Sequence, residues 1–305
     1  MQNRDTFSSL HPIISFLFFG LVLVFSMFVT HPACILISLL SALVYSIYLR
    51  GKKAVRLSLF GLLPLILLTA LINPAFNHEG ETILRYLPTG NPLTLESIVW
   101  GVAAGAILAA VVCWFSCYNV VMTSDKFIYL FGRLIPAMSL VLSMSLRFIP
   151  KFSAQIKVVS NAQRCVGRDV SNGSVWQRMK HAFTILSIML TWSFENAIET
   201  SDSMRSRGYG LPGRTAFSIY RFDRRDRAAL LFLCACGAWL ITGWARGGLH
   251  WRYFPSVRGV GAQAYPVSLF IVYALLCLLP LIVDIAADKK WAAVRAAAGE
   301  MKADA

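Results

Sequence analysis

The feature that most constrains this chain is its set of long apolar runs. Residues 13–29, 33–49, 57–73, 96–119, 227–245 and 266–286 are each almost free of charge. A helix needs about 20 such residues to cross a hydrocarbon core about 30 Å thick. In lipid the backbone must satisfy its own hydrogen bonds, which leaves helices or closed barrels. Continuous apolar runs of this length, without polar alternation, read as helices. Of the 305 residues, 57% are hydrophobic, above the usual range of about 45–50% for soluble domains. Length alone suggests two soluble domains. The runs point instead to one all-α, polytopic membrane protein with about six transmembrane helices. Long cytoplasmic helices are expected between the fourth and fifth clear spans.

Charge sets the expected topology. The 29 Lys/Arg against 15 Asp/Glu give a net charge of +14. The excess collects in Arg50–Arg56, in Arg147–Arg227 and in the tail after Asp288. Cations flanking apolar spans mark the cytoplasmic side and contact anionic lipid headgroups. Both termini are therefore expected inside, with 74–95 and 246–265 outside. The second of these loops carries Arg246, Arg252 and Arg258 against the trend. No basic-aromatic nucleic-acid motif is visible, so the expected contact is with the bilayer and not with nucleic acid. Three regions follow: N-terminal transmembrane helices over 1–123, an interfacial and cytoplasmic helical region over 124–226, and C-terminal transmembrane helices with a tail over 227–305.

The middle region carries fourteen Lys/Arg against six Asp/Glu between Arg147 and Arg227. Ser124-Asp125 resembles a helix start. The apolar stretch Ile135–Leu146 lies between Arg133 and Arg147, too short to span, and Pro136 interrupts it. A tilted or interfacial helix is expected over 124–150. A second helix is expected from Lys151 to about Cys165, with Phe152, Ile156 and Val159 on its apolar face. On it, Lys157, Arg164 and Arg168 recur at seven and four residues, a basic stripe. Ser171-Asn-Gly is a break, and Ser174-Val-Trp-Gln177 is a capping box that opens a third helix. Glu195, Glu199 and Asp202 recur on that helix at four and three, an acidic stripe. Complementary stripes suggest that the two helices pack across each other partly through charge. The alternative is two solvated faces, since exposed ion pairs contribute only about 0–1 kcal/mol each.

The third helix is expected to stop near Arg207, because Gly208 stands at a C-cap position and Pro212 follows. A guanidinium at a helix tip either complements the helix dipole or meets a partner's carboxylate or carbonyl. Earlier in the chain, Gly101, Gly105 and Ala109 recur every four residues. Such small-residue spacing predicts close contact with another helix, in this chain or in a partner membrane protein.

Catalytic and metal chemistry find little support. Cys113 and Cys117 are four apart with no histidine or carboxylate converging on them. The five histidines are scattered, and no His-Glu-x-x-His or paired-carboxylate pattern is present. No phosphate-binding Gly-x-x-x-x-Gly-Lys-Ser/Thr loop occurs. The expectation is a non-catalytic protein with no cofactor and no metal. A permease forming its own pathway places ionisable groups deep in its spans, and the span interiors here are nearly free of them.

Several short stretches, in this order, carry a resemblance: His11-Pro12, Asn73-Pro74, Leu93-Thr94-Leu-Glu96, Ser145-Leu-Arg-Phe-Ile-Pro150, Ala162-Gln-Arg164 and Ser203-Met-Arg-Ser-Arg-Gly-Tyr209. Together they resemble the transmembrane T component of energy-coupling factor transporters, the EcfT/CbiQ-like permeases, over nearly the whole chain. The resemblance implies two short Ala-Arg-Gly motifs at the ends of coupling helices, each docking one of two ATP-binding-cassette ATPase subunits. The second falls on Ser206-Arg207-Gly208. The first falls on Cys165-Val166-Gly167, without its arginine, for which Arg164 or Arg168 is the available substitute. The family's role implies a third partner, a small membrane-embedded substrate-binding S component, in the cell membrane of a bacterium or archaeon. The substrate implied is a vitamin or a transition-metal ion. A membrane scaffold uncoupled from ATP hydrolysis, or a membrane-bound enzyme, are the competing readings.

Overall fold

The structure is a computed structural model that describes residues 6–86, 92–132, 136–171, 173–209, 211, 220–259 and 263–303. A 3-10 turn (Phe7–Ser9) leads into α1 (Pro12–Phe28), α2 (Pro32–Arg50), α3 (Lys52–Leu57), a π turn (Ser58–Leu62) and α4 (Leu63–Phe76). Strands β1 (Ile83–Tyr86) and β2 (Pro92–Thr94) precede α5 (Leu95–Val121). Then come α6 (Ser124–Gly132), α7 (Pro136–Cys165), α8 (Val175–Ser206) and α9 (Arg224–Ala245). Strands β3 (Trp251–Arg252) and β4 (Arg258–Gly259) and the long α10 (Ala264–Ala303) close the chain. The molecule is an all-α polytopic membrane protein. Among the described residues, five stretches are long and apolar enough to cross a bilayer: Pro32–Arg50, Lys52–Phe76, Leu95–Val121, Arg224–Ala245 and Ala264–Val294. The remaining expected span, Pro12–Phe28, is apolar but shorter, at 17 residues.

The chain divides into two compact units, Met1–Thr123 with Tyr220–Ala305, and Ser124–Ile219. In the first, α1 and α2 start alike. His11 and His31 are N-caps whose Nδ1 accepts the amide two residues on, at 3.3 and 3.2 Å. A proline follows each, at the one helical position where a missing N–H costs nothing. The core is aromatic: Phe7, Phe18 and Trp114 are fully enclosed and meet edge to face, Phe7 to Phe18 at 5.2 Å and Phe18 to Trp114 at 5.8 Å. Several polar groups inside it are paired. Trp114 Nε1 donates to Ser38 Oγ at 3.1 Å, and Ser38 Oγ lies 2.6 Å from Ser26 Oγ. Asp284 of α10, fully buried, accepts the Phe7 amide at 2.7 Å and so ties the N-terminal turn to the last helix.

Two local expectations need correction. The polar loop was expected to begin at Asn73-Pro74, yet α4 runs on to Phe76 with Pro74 inside it. Asn73 Nδ2 donates to the Ser97 carbonyl at 2.8 Å, which holds this last turn against the start of α5. The turn residues Pro88, Gly90 and Asn91 lie outside the described residues. Pro64 does more than kink a helix. The turn before it widens to π geometry, with the Leu63 amide bonded to the Ser58 carbonyl. A proline clashes with the carbonyl four residues earlier, and an i to i+5 turn relieves that contact. Between α9 and α10, β3 and β4 form a short antiparallel hairpin.

The small-residue face of α5 packs against α4 of the same chain. A Cβ on Gly101 would stand 3.0 Å from the Ala70 Cα, and one on Gly105 would run into Thr69 and the Ile66 backbone. Ala109, one turn on, is fully buried. The close contact that the spacing predicts is therefore internal.

In the second unit, α6 ends at Gly132 and Pro136 is the first residue of α7, which continues for 30 residues to Cys165, through Pro150. The break expected between an interfacial helix and a separate helix from Lys151 does not exist. Arg133 lies outside the described residues.

Candidate functional site

Helices α7 and α8 form an antiparallel pair. Val159 of α7 packs with Ile185 and Met189 of α8, and Phe152 and Trp192 join the same cluster. The Phe152 and Trp192 rings meet edge to face at 5.4 Å. Further along, Lys151 Nζ donates to Asn196 Oδ1 at 2.7 Å and lies over the Trp192 ring. This seam differs from the expected one. Lys157, Glu195, Glu199 and Asp202 are all exposed, and among the described residues no ion pair joins the two stripes. Apolar burial, with one lysine drawn onto an aromatic ring, makes the contact. The stripes are solvated faces.

The two helix ends have one geometry. At the end of α8, Arg207 is the C-cap and Gly208 takes φ +76°, a left-handed conformation that costs glycine nothing. The Tyr209 amide bonds the Met204 carbonyl at 3.1 Å, and the Gly208 amide bonds that of Arg205 at 3.1 Å. This double closure is a Schellman motif. At the end of α7, Gly167 takes φ +79°. The Arg168 amide bonds the Gln163 carbonyl at 2.9 Å, and the Gly167 amide bonds that of Arg164 at 3.0 Å. Position for position, Val166 corresponds to Arg207 and Cys165 to Ser206. Pro212, the second stop signal, lies outside the described residues.

The chemistry of the two ends differs. Arg207 is exposed. Val166 presents an apolar side chain, 70% exposed. Neither arginine considered as a substitute stands at the C-cap. Arg164 lies two residues before it and pairs with Asp169 at 3.3 Å, and Arg168 lies two residues after it. Asp169 accepts the Ser171 hydroxyl at 2.6 Å and the Ser171 amide at 3.0 Å. These bonds to Ser171, with the Arg164 charge a smaller influence, hold the Asp169 carboxyl below its ordinary value. The next helix opens with the expected capping box: the Gln177 amide donates to Ser174 Oγ at 3.4 Å and the Ser174 amide to Gln177 Oε1 at 3.2 Å.

A cleft of about 540 Å³ lies between α7 and α8 near the Arg207 end, with Arg147, Lys151, Glu199 and Arg207 on its walls. On the outside of α8, Trp176, Met179, Phe183, Leu186, Leu190, Phe194 and Ile198 are all exposed. Their spacing of three or four residues places them on one apolar stripe more than five turns long.

A family model described as cobalt transport protein, CbiQ, matches residues 6–217. The chain belongs to the CbiQ family. Its relatives include the energy-coupling factor transporter transmembrane protein EcfT of Lacticaseibacillus paracasei, 36% identical over 107 residues, 35% of this chain and 39% of the relative. The protein of the same description from Exiguobacterium sibiricum is 32% identical over 111 residues, 36% of this chain and 41% of the relative. The chain thus aligns with about two-fifths of the length of these curated relatives. Within this CbiQ-family chain, the matched residues 6–217 include both glycine-closed helix ends.

Proposed function

We propose that this chain is the transmembrane coupling subunit of an energy-coupling factor importer. It relays the ATP-driven motion of two ATP-binding-cassette ATPase subunits to a membrane-embedded substrate-binding S protein. The cargo is a vitamin or a transition-metal ion. The observation that carries this reading is the pair of equivalent Schellman-closed helix ends on one antiparallel hairpin. Two equivalent ends suit two similar partners, and a closed C-terminus offers a rigid projection that moves with the helix behind it. The apolar stripe of α8 supports a contact with bilayer or with an apolar membrane partner. The tips stand on the cytoplasmic side in this reading, with both termini, in a bacterial or archaeal cell membrane.

The test is affinity purification from the native membrane, with wild type compared with Arg207→Glu. Wild type should bring two nucleotide-binding subunits and a small, very apolar protein. Arg207→Glu should lose most of the ATPase and most of the uptake, with an unchanged elution volume in detergent. Full ATPase recovery and full uptake in the variant would remove Arg207 from docking. Recovery of the wild-type chain without any ATPase would favour a scaffold.

A further inference from the structure

The cleft beside the Arg207 end is built unlike a structural gap. Arg147, Lys151 and Arg207 reach it from both helices, with Ser143 and Ser203 between them and Glu199 the one acid. Three cations against one carboxylate leave a local charge of about +2 in a concave site, where low-dielectric walls concentrate the field. Lys151 is held in place by Asn196 and Trp192. The α8 carbonyls of Met204 and Arg205 are taken up by the closing turn, which blunts the negative end of that helix toward an anion. The floor is apolar: Met144, Phe148 and Met204 line it and are half-buried.

We propose that this cleft binds a phosphate group carried on an apolar molecule, as in the headgroup region of an anionic phospholipid. A lone carboxylate is satisfied by a single bidentate arginine. Several cations and hydroxyls arranged together match the greater number of phosphate oxygens. The volume exceeds that of a bare phosphate, and the floor suits the apolar part of an ester. The inference does not depend on ATPase docking and is read on the isolated chain.

The experiment is native mass spectrometry of the detergent-purified chain titrated with phosphatidylglycerol, with phosphatidylcholine and with inorganic phosphate. Wild type should retain phosphatidylglycerol over phosphatidylcholine. The double variant Arg147→Gln/Lys151→Gln should lose roughly tenfold or more in that affinity, as expected for two cations near an anionic headgroup. Ser203→Leu, which narrows the cleft and keeps every charge, should lose it too. Arg252→Gln/Arg258→Gln, exposed and outside the clusters of excess charge, should not. Binding of inorganic phosphate with the same dependence on Arg147 and Lys151 would support the phosphate site and assign it a soluble source. Equal retention of the two lipids, or an unchanged affinity in both the double variant and Ser203→Leu, would overturn the proposal. So would displacement of the lipid by oligoglutamate but not by phosphate, which would make the cleft a seat for an acidic protein segment.

Discussion

Val166 and Arg207 hold the same place, each the residue before a left-handed glycine, in two helix ends closed by the same pair of backbone bonds. One offers an isopropyl group and the other a guanidinium. If these ends dock two ATPase subunits, the two grooves meet different chemistry. Val166→Arg makes the ends alike. It should raise the ATPase co-purifying with the chain if the first groove also holds a carboxylate, and lower it if that groove is apolar. Stability should stay within about 0.5 kcal/mol, because the site is exposed. Quantitative blotting of both ATPase subunits after purification separates these outcomes, and no change in either would exclude Val166 from the interface.

The glycines at the two ends should respond unequally to alanine. Both φ values lie in the left-handed region, where an L side chain costs roughly 1–2 kcal/mol. At Gly167 the added Cβ would meet nothing within 4 Å, whereas at Gly208 it would stand 3.1 Å from Leu211 Cδ1. Gly208→Ala should therefore increase amide exchange at its tip at least as much as Gly167→Ala does at the other. Hydrogen exchange at Met204–Tyr209 and at Gln163–Arg168 measures the pair.

The seam between α7 and α8 should be insensitive to charge. Lys157→Glu and Glu195→Lys, alone or together, should leave thermal unfolding unchanged within about 0.5 kcal/mol, since both groups are solvated. Met189→Ala removes a side chain only 6% exposed at the centre of the seam. It should cost about 2 kcal/mol or more, the range for a buried methionine. Coupling between the two reversals in a double-mutant cycle would restore the charge-pairing model.

Acid should loosen the first tip before the second. The Asp169 carboxyl is held below its ordinary value by Ser171. A group with a depressed folded-state pKa contributes stability above its unfolded value, near pH 4, and loses it as the pH falls through the folded value. The turn at Asp169–Ser171 should therefore open below about pH 4, reported by amide exchange at Ser171, and Ser171→Ala should move the opening to higher pH. Among the described residues, no carboxylate is seen to pair with Arg207.

Much of the architecture was legible because lipid imposes simple rules. Apolar run length located the spans, and glycine at C′ located the Arg207 tip. What was missed depended on tertiary contacts. Proline at 136 reads as a breaker only until the helix is seen to start on it, where no amide is needed. The charge stripes were periodic but not opposed, and periodicity alone cannot say which faces meet. The role of Asp284 appears only when the Phe7 amide, 277 residues away in sequence, is placed beside it. The exposed stripe on α8 was hidden by averaging, because its residues are spread among polar ones.

The Phe152–Trp192 contact in the α7–α8 seam has a mechanical consequence. From Phe152 to Val166 is about 21 Å of helix, and from Trp192 to Arg207 about 22 Å, at 1.5 Å per residue. The pair is antiparallel, so these arms extend in opposite directions from that contact. Equal and opposite forces on the tips act as a torque about it and rotate the hairpin, with both tips sweeping nearly the same distance. The leverage is balanced by construction, whatever engages the ends.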